Sequence, residues 1–259
     1  MWGPLHFSNS VRLESSFIQI PGIGERNEQS LWEAGITDWR RGVDTDVIGD
    51  HRQGLINEFA TDATERLDSA DVGFFAESLP TAERWRLAET FSDRWTALDI
   101  ETTGLNPDRA VVTTVSLHDQ SGTRTLVRDR DLTRERLQDE LSDVGVLVTY
   151  NGARFDIPFL EQRFGVTFDR PHLDLMYPCR RLGWRGGLSG VERRLGLSRR
   201  LPDVDGREAV RLWHRYEAGD RDALSRLIEY NQEDTQTLFP ILERVTDALD
   251  REVYRPYLP

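Results

Sequence analysis

The chain of 259 residues contains no lysine, and all 33 of its basic side chains are arginine. Cysteine is almost missing as well. The single Cys179 excludes an internal disulfide and any zinc cage built on thiolates. Long apolar runs are absent, since stretches such as 144–148 last a handful of residues and are broken, here by Gly145. No segment therefore predicts a transmembrane span. The opening Met-Trp-Gly-Pro-Leu-His also lacks the basic-then-apolar pattern of a secretion signal. These absences predict a cytoplasmic protein without a membrane partner. What is present suffices for a core: 38% hydrophobic residues, with 11 Phe, 7 Trp and 6 Tyr, exclude wholesale disorder.

Acidic residues outnumber basic ones 45 to 33, for a net charge of −12. A GC-rich genome accounts for arginine in place of lysine. The acidic excess points to a halophilic setting, because self-repulsion is screened within ~3 Å at 1 M salt. The two accounts are compatible. An acidic balance ordinarily argues against a polyanionic partner.

No internal repeat or low-complexity tract is present. Residues 1–50 predict a small helical N-terminal module, 51–92 a helical linker, 93–249 an α/β domain and 250–259 a C-terminal tail. In the α/β domain, 95–101 has the composition of a strand. Two β-branched runs, 111–117 and 123–128, flank Asp119-Gln-Ser-Gly122, a hairpin signal. Helical spacing follows at 132–141, an apolar strand at 144–150 and a helix at 155–164. A short strand fits 173–175, and the chain from residue 188 onward is helical in pattern. The fold class is therefore α/β, a mixed sheet flanked by helices.

Four acids occupy meaningful places in this pattern. Asp99 and Glu101, two apart on the first strand, project from one face. Asp156 follows the next apolar strand where a helix begins. Asp234 lies on a later helix, with Tyr230 one turn before it on the same face. Any one of the 45 acids taken alone reads best as solvated surface. As a group these four are different, because carboxylates ~5 Å apart repel by about 3 kcal/mol at an effective dielectric near 20. Such a cluster needs cations, and oxygen-only ligands select Mg²⁺ or Mn²⁺. Two such ions ~3.5–4 Å apart support phosphodiester hydrolysis.

Asp99-Ile-Glu101-Thr-Thr-Gly-Leu105 resembles the first motif of DEDD-type 3′→5′ exonucleases of the ribonuclease H-like superfamily. Tyr150-Asn-Gly-Ala-Arg-Phe-Asp156-Ile-Pro-Phe-Leu160 is similar to the second, in the form found in the proofreading domain of B-family DNA polymerases. Tyr230-Asn-Gln-Glu-Asp234 resembles the third motif in its tyrosine form. The chain also resembles the YprB-like family, and the likeness covers about residues 93–249. The resemblance implies a ribonuclease H-like fold, Asp99, Glu101, Asp156 and Asp234 as ligands of two metal ions, and Tyr230 positioning the attacking water. It further implies contacts to the terminal nucleotide from Thr102, Thr103, Leu105, Asn151 and Phe155, although Phe155 reads equally well as helix core. Asp174 reads as a structural carboxylate rather than a fifth ligand. The five histidines, His6, His51, His118, His172 and His214, show no metal-ligand spacing and read as structural or surface residues.

Phe17-Ile-Gln-Ile-Pro-Gly-Ile-Gly24 followed by Leu31 resembles a helix-hairpin-helix, with Gly22 and Gly24 forming the turn. Backbone N–H groups there would bind a phosphate, or the segment merely packs two helices. Glu28 departs from the usual alanine, and Glu25 adds negative charge beside the turn. The 179–200 stretch opposes the global charge, with seven arginines against the one acid Glu192. Arg193, Arg194, Arg199 and Arg200 are accordingly expected to track phosphates, and Trp184 to stack on unpaired bases. The reading is a metal-dependent 3′→5′ exonuclease acting on single-stranded DNA or RNA ends. The alternatives are a ribonuclease H-like endonuclease on RNA or hybrids, and a non-catalytic nucleic-acid-binding module. From the length after residue 249, polymerase palm and fingers are not expected.

Overall fold

Apolar residues at helical spacing and a scarcity of β-branched runs make the N-terminal third helical. The computed structural model describes residues 11–259, so His6 and the opening segment lie outside the described residues. By internal contacts the chain forms two units: Arg94–Ile241, and 11–93 with Leu242–Pro259.

The second of these units holds α1 (Glu25–Glu33), α2 (Asp50–Asp68), α3 (Val72–Ser78) and α4 (Leu87–Thr90). Phe17, Ile20, Ile23 and Leu31 are buried, as expected of a packed hairpin, and Trp32 is buried with them. The first helix of that hairpin does not form. A single 3-10 turn, Leu13–Ser15, stands where it was expected, followed by turns up to Gly24, with Gly22 at φ +88°. The reason lies in Glu28, whose Oε1 accepts the N–H groups of Phe17 (2.7 Å) and Ile18 (2.9 Å). Glu28 also forms a bidentate pair with buried Arg86 at 2.8 and 3.0 Å, and Arg86 reaches Glu83 at 2.8 Å. The departure from alanine is thus a buried ion pair. The segment expected as a linker carries the buried Ile56, Phe75, Trp85 and Leu87. The expected tail is also packed: Asp250 accepts the Val11 N–H (2.7 Å), and Tyr254 meets Trp32 edge-on at 4.9 Å.

In Arg94–Ile241, β1 (Trp95–Thr102) pairs antiparallel with β2 (Val112–Asp119), and β2 with β3 (Gly122–Val127). The β2–β3 hairpin closes at Asp119↔Gly122, where Gly122 takes φ +122°. α5 (Arg134–Ser142) leads to β4 (Val146–Thr149), which adds parallel to β1. α6 (Asp156–Phe164) leads to β5 (His172–Asp174), parallel to β4. Parallel neighbours require such crossovers. The sheet order is β3-β2-β1-β4-β5. The α/β class and the mixed sheet with flanking helices are those expected. α7 (Met176–Arg181), α8 (Gly187–Leu195), α9 (Gly206–Glu217) and α10 (Arg221–Val253) complete the described helices, and α10 continues from this unit into the residues of the other.

Leu98 and Ile100 enter a core with Val115, Leu117, Leu137, Leu147, Phe159 and Leu160, on the side of α5 and α6. The alternation of a strand then sends Asp99 and Glu101 to the other face. α10 is fastened to β3 there by Gln232 to Thr125 (3.0 Å) and Gln236 to Thr123 (2.7 Å).

Candidate active site

Strand periodicity sets Asp99 and Glu101 on one face of β1, and the register shifts immediately after Glu101. A bulge at a strand end re-aims its side chains. α10 supplies Asp234, and carboxylate oxygens of Asp99, Glu101 and Asp234 all lie within 4.8 Å of one another. Asp156, the first residue of α6, accepts the N–H of Ile100 at 3.1 Å, so it is tied to β1 between the two acids of that strand. The Tyr230 hydroxyl hydrogen-bonds to Asp234, while its ring packs with Val127, Leu212, Trp213 and Leu227. The structure thus brings together the five residues singled out from the motifs.

Burial raises the pKa of Asp99 and Glu101 well above the ordinary carboxylate range, and the neighbouring carboxylates raise it further. Asp156 is pushed up to about 7 by burial, against the hydrogen bonds it accepts. Asp234 reaches about 7 for the same reason, although Arg199 holds it down. Tyr230 is pushed up by burial and by Asp234 and Glu101, so it stays a protonated donor at neutral pH. This centre is short of positive charge. An all-carboxylate donor set is what hard divalent cations select. Octahedral Mg²⁺ with ligands at ~2.1 Å separates its oxygens by ~3–4 Å, so a spacing within 4.8 Å needs little adjustment. The residues fit a divalent metal.

The remaining expected residues divide. Thr102 donates to the Gly104 carbonyl (2.7 Å) and Thr103 accepts the Val111 N–H (3.0 Å), shaping a turn that leaves Leu105 85% exposed. Leu105, Phe155 and Glu101 line a groove of about 650 Å³ closed by Arg207, Val210 and Arg211 of α9. Phe155 also packs on Phe159 at 5.5 Å, so its core and groove readings both hold. Asn151 takes φ +68° and donates its N–H to Asp174 (2.7 Å). Asp174 accepts from Ala153 and Met176 too, at 3.2 and 3.0 Å, as a structural carboxylate does. His118 bonds Thr123 and His172 bonds Thr149, away from the acids.

The arginine stretch corrects one expectation. Arg193 and Arg194 are exposed, but Arg199 turns inward, 2.6 Å from both Glu192 and Asp234. Two desolvated carboxylates outcompete solvent for its guanidinium. Arg200 is exposed yet paired with Glu229 and Glu233. Trp184 is buried beneath Arg194 and is not a free stacking platform. Gly22 and Gly24 are exposed but belong to the other unit. Asn231 escaped sequence reasoning. Its amide donates to Asp99 at 2.7 Å, and its place within the third motif, three residues before Asp234, was the available signal.

Asp99 and Glu101 on the central strand of a mixed sheet thus meet Asp234 from α10 and Asp156 from α6. Residues 97–246, more than half of the chain, match the RNase_H superfamily, and the chain belongs to that superfamily of nuclease-type hydrolases. Uncharacterized protein YprB of Bacillus subtilis (strain 168) is 33% identical over 128 residues, which are 44% of this chain and 30% of that protein. The match therefore spans less than a third of the relative's length. Among solved structures, the family B DNA polymerase of Pyrobaculum calidifontis has TM-score 0.49 at 20% identity, covering 64% of this chain and 26% of that one. Brucella melitensis NrnC bound to pGG has TM-score 0.33 at 20% identity, covering 64% and 88%. Among the described residues no helix is long and apolar enough to cross a membrane.

Proposed function

We propose that this chain is a metal-dependent 3′→5′ exonuclease that hydrolyses phosphodiester bonds at single-stranded ends of DNA or RNA, in the cytoplasm. The observation that carries the reading is the convergence of Asp99, Glu101, Asp156 and Asp234, drawn from a strand and two helices, beside the Tyr230 hydroxyl. In this reading the four carboxylates hold two Mg²⁺ or Mn²⁺ ions. Bound there, the ions supply charge neutralisation, a water activated for attack and stabilisation of the leaving oxygen.

The chain's own residues do the positioning. Asn231 fixes the Asp99 carboxylate by donating to one of its oxygens. Tyr230 is buried and protonated, with its O–H given to Asp234, so its oxygen accepts from the attacking water and orients it without acting as a base. The groove beside Glu101 receives the terminal nucleotide, with Leu105 and Phe155 against the base and the turn of Thr102 and Thr103 holding Leu105 in place. Asn151 lines a neighbouring cleft with Arg180 and Arg185, which suits an upstream phosphate. Exposed Arg193, Arg194 and Arg200 extend that positive surface.

The test is incubation of the wild type and Asp99→Asn with 5′-labelled single-stranded DNA and RNA, with Mg²⁺, Mn²⁺ or EDTA. A ladder of shortened products is expected only from the wild type with metal. Cuts confined to the interior of RNA–DNA hybrids would instead favour the endonuclease reading. Binding without turnover in every arm would favour a binding module.

A further inference from the structure

Arg199 is the one cation seen in contact with the acidic centre among the described residues, and the chain holds it there from three sides. Its backbone is clamped to α10, because the N–H groups of Arg200 and Leu201 both donate to buried Glu233, at 2.5 and 3.2 Å. Its Nε donates to Glu192 Oε2 at 2.6 Å, and Glu192 in turn accepts from Thr237 of α10 at 2.8 Å. Its Nη2 lies 2.6 Å from Asp234 Oδ1, and the guanidinium carbon sits 5.6 Å from the Tyr230 ring centroid. The side chain is only 12% exposed. Its charge acts on Glu101 as well as on Asp234.

We propose that Arg199 is a tethered counter-ion of the metal site, which pairs with Asp234 and must be displaced from it when a divalent cation binds. The inference rests on the reading of Asp234 as a metal ligand. The two ends of the guanidinium have different jobs. The Nε edge stays with Glu192, a carboxylate outside the acidic triad, so displacement is a short swing of the Nη2 edge while the tether holds. Without this charge, Asp99, Glu101 and Asp234 would face one another buried and uncompensated, which is costly. With it, the metal-free centre is stable, and metal affinity is set below what its carboxylates alone would give, because a cation placed beside a cation is opposed by its charge. Arg199 is thus a positioning residue that governs metal loading, and its position inside an otherwise exposed arginine run follows from that role.

The experiment is Mn²⁺ binding to the full chain by titration calorimetry, with thermal midpoints measured in EDTA. Wild type is compared with Arg199→Met, with Arg199→Lys, and with the double variant Arg199→Met, Glu192→Gln, which leaves no orphaned Glu192 charge if the single variant folds poorly. Both variants lacking the charge are expected to bind Mn²⁺ about tenfold more tightly and to melt lower in EDTA. Arg199→Lys should stay near the wild type. Unchanged or weaker Mn²⁺ binding in the variants, with the wild type binding normally, overturns the tethered counter-ion and leaves the metal reading standing. Absence of Mn²⁺ binding in the wild type and all variants removes the metal reading itself, and the inference with it.

Discussion

Asp99, Glu101, Asp156 and Asp234 all take up protons more readily in the folded chain than in a free peptide, burial being the first cause at each. The sign follows from linkage. An acid whose folded pKa is raised contributes stability that is complete below its unfolded pKa, roughly 4, and lost as pH rises through the folded value. For Asp156 and Asp234 that value is about 7. In EDTA the thermal midpoint is therefore expected to fall between about pH 4 and 7, less so in Asp99→Asn, which relieves the mutual repulsion. Excess Mn²⁺ should remove most of the fall, while a flat profile in EDTA would count against a carboxylate cluster. Tyr230→Phe should lower kcat roughly tenfold or more with KM little changed, as measured in steady-state kinetics, because water orientation matters most in the transition state. Unaltered kcat would demote Tyr230 to packing. Strand spacing made Asp99 and Glu101 legible as one pair and helical spacing made Tyr230 and Asp234 another, while the resemblance to three motifs joined them with Asp156. Asn231 and Arg199 were not legible. The partner of Asn231 is 132 positions away, and nothing local in the sequence tells that Glu192 is buried and draws Arg199 out of its surface run.

Elements place these residues, and the β4–α6 junction is the tightest of them. A Cβ at Gly152 would fall 2.3 Å from Thr149 Oγ1. Gly152→Ala should therefore cost about 1–3 kcal/mol in urea unfolding, the usual penalty for overpacking. Because the junction leads directly into Asp156, hydrolysis should weaken with it, and an unaffected stability would refute the close approach. The strands were legible from β-branched runs bounded by turn residues: the hairpin closes on Asp119 and Gly122, where the sequence signal lay. The N-terminal hairpin was legible only in part. Its buried positions follow from spacing, but the loss of its first helix depends on Glu28 capturing two backbone N–H groups and pairing with Arg86, 58 residues away. Sequence proximity carries no trace of that pair. Likewise the C-terminal residues look like a tail until Asp250 and Tyr254 find partners near the other end of the chain.

At the scale of the whole molecule, a net charge of −12 has to be reconciled with the polyanionic substrate proposed above. Of the four arginines at 193, 194, 199 and 200, the exposed Arg193, Arg194 and Arg200 are those proposed for phosphate once Arg199 is turned inward, beside Arg180 and Arg185. Replacing those three with glutamine should flatten the slope of log affinity against log salt by about 0.7 per lost contact, so by about 2 in total, without changing sequence preference. An unchanged slope would mean that these side chains are bystanders. The central claim, end-directed hydrolysis by the carboxylate centre, is tested most directly by one oligonucleotide labelled at its 5′ end in one tube and its 3′ end in another, digested with Mn²⁺. The account predicts a descending ladder from the 5′ label and immediate release of labelled mononucleotide from the 3′ label, both abolished in Asp99→Asn. Mononucleotide released first from the 5′ label, or equal digestion by Asp99→Asn, would contradict it.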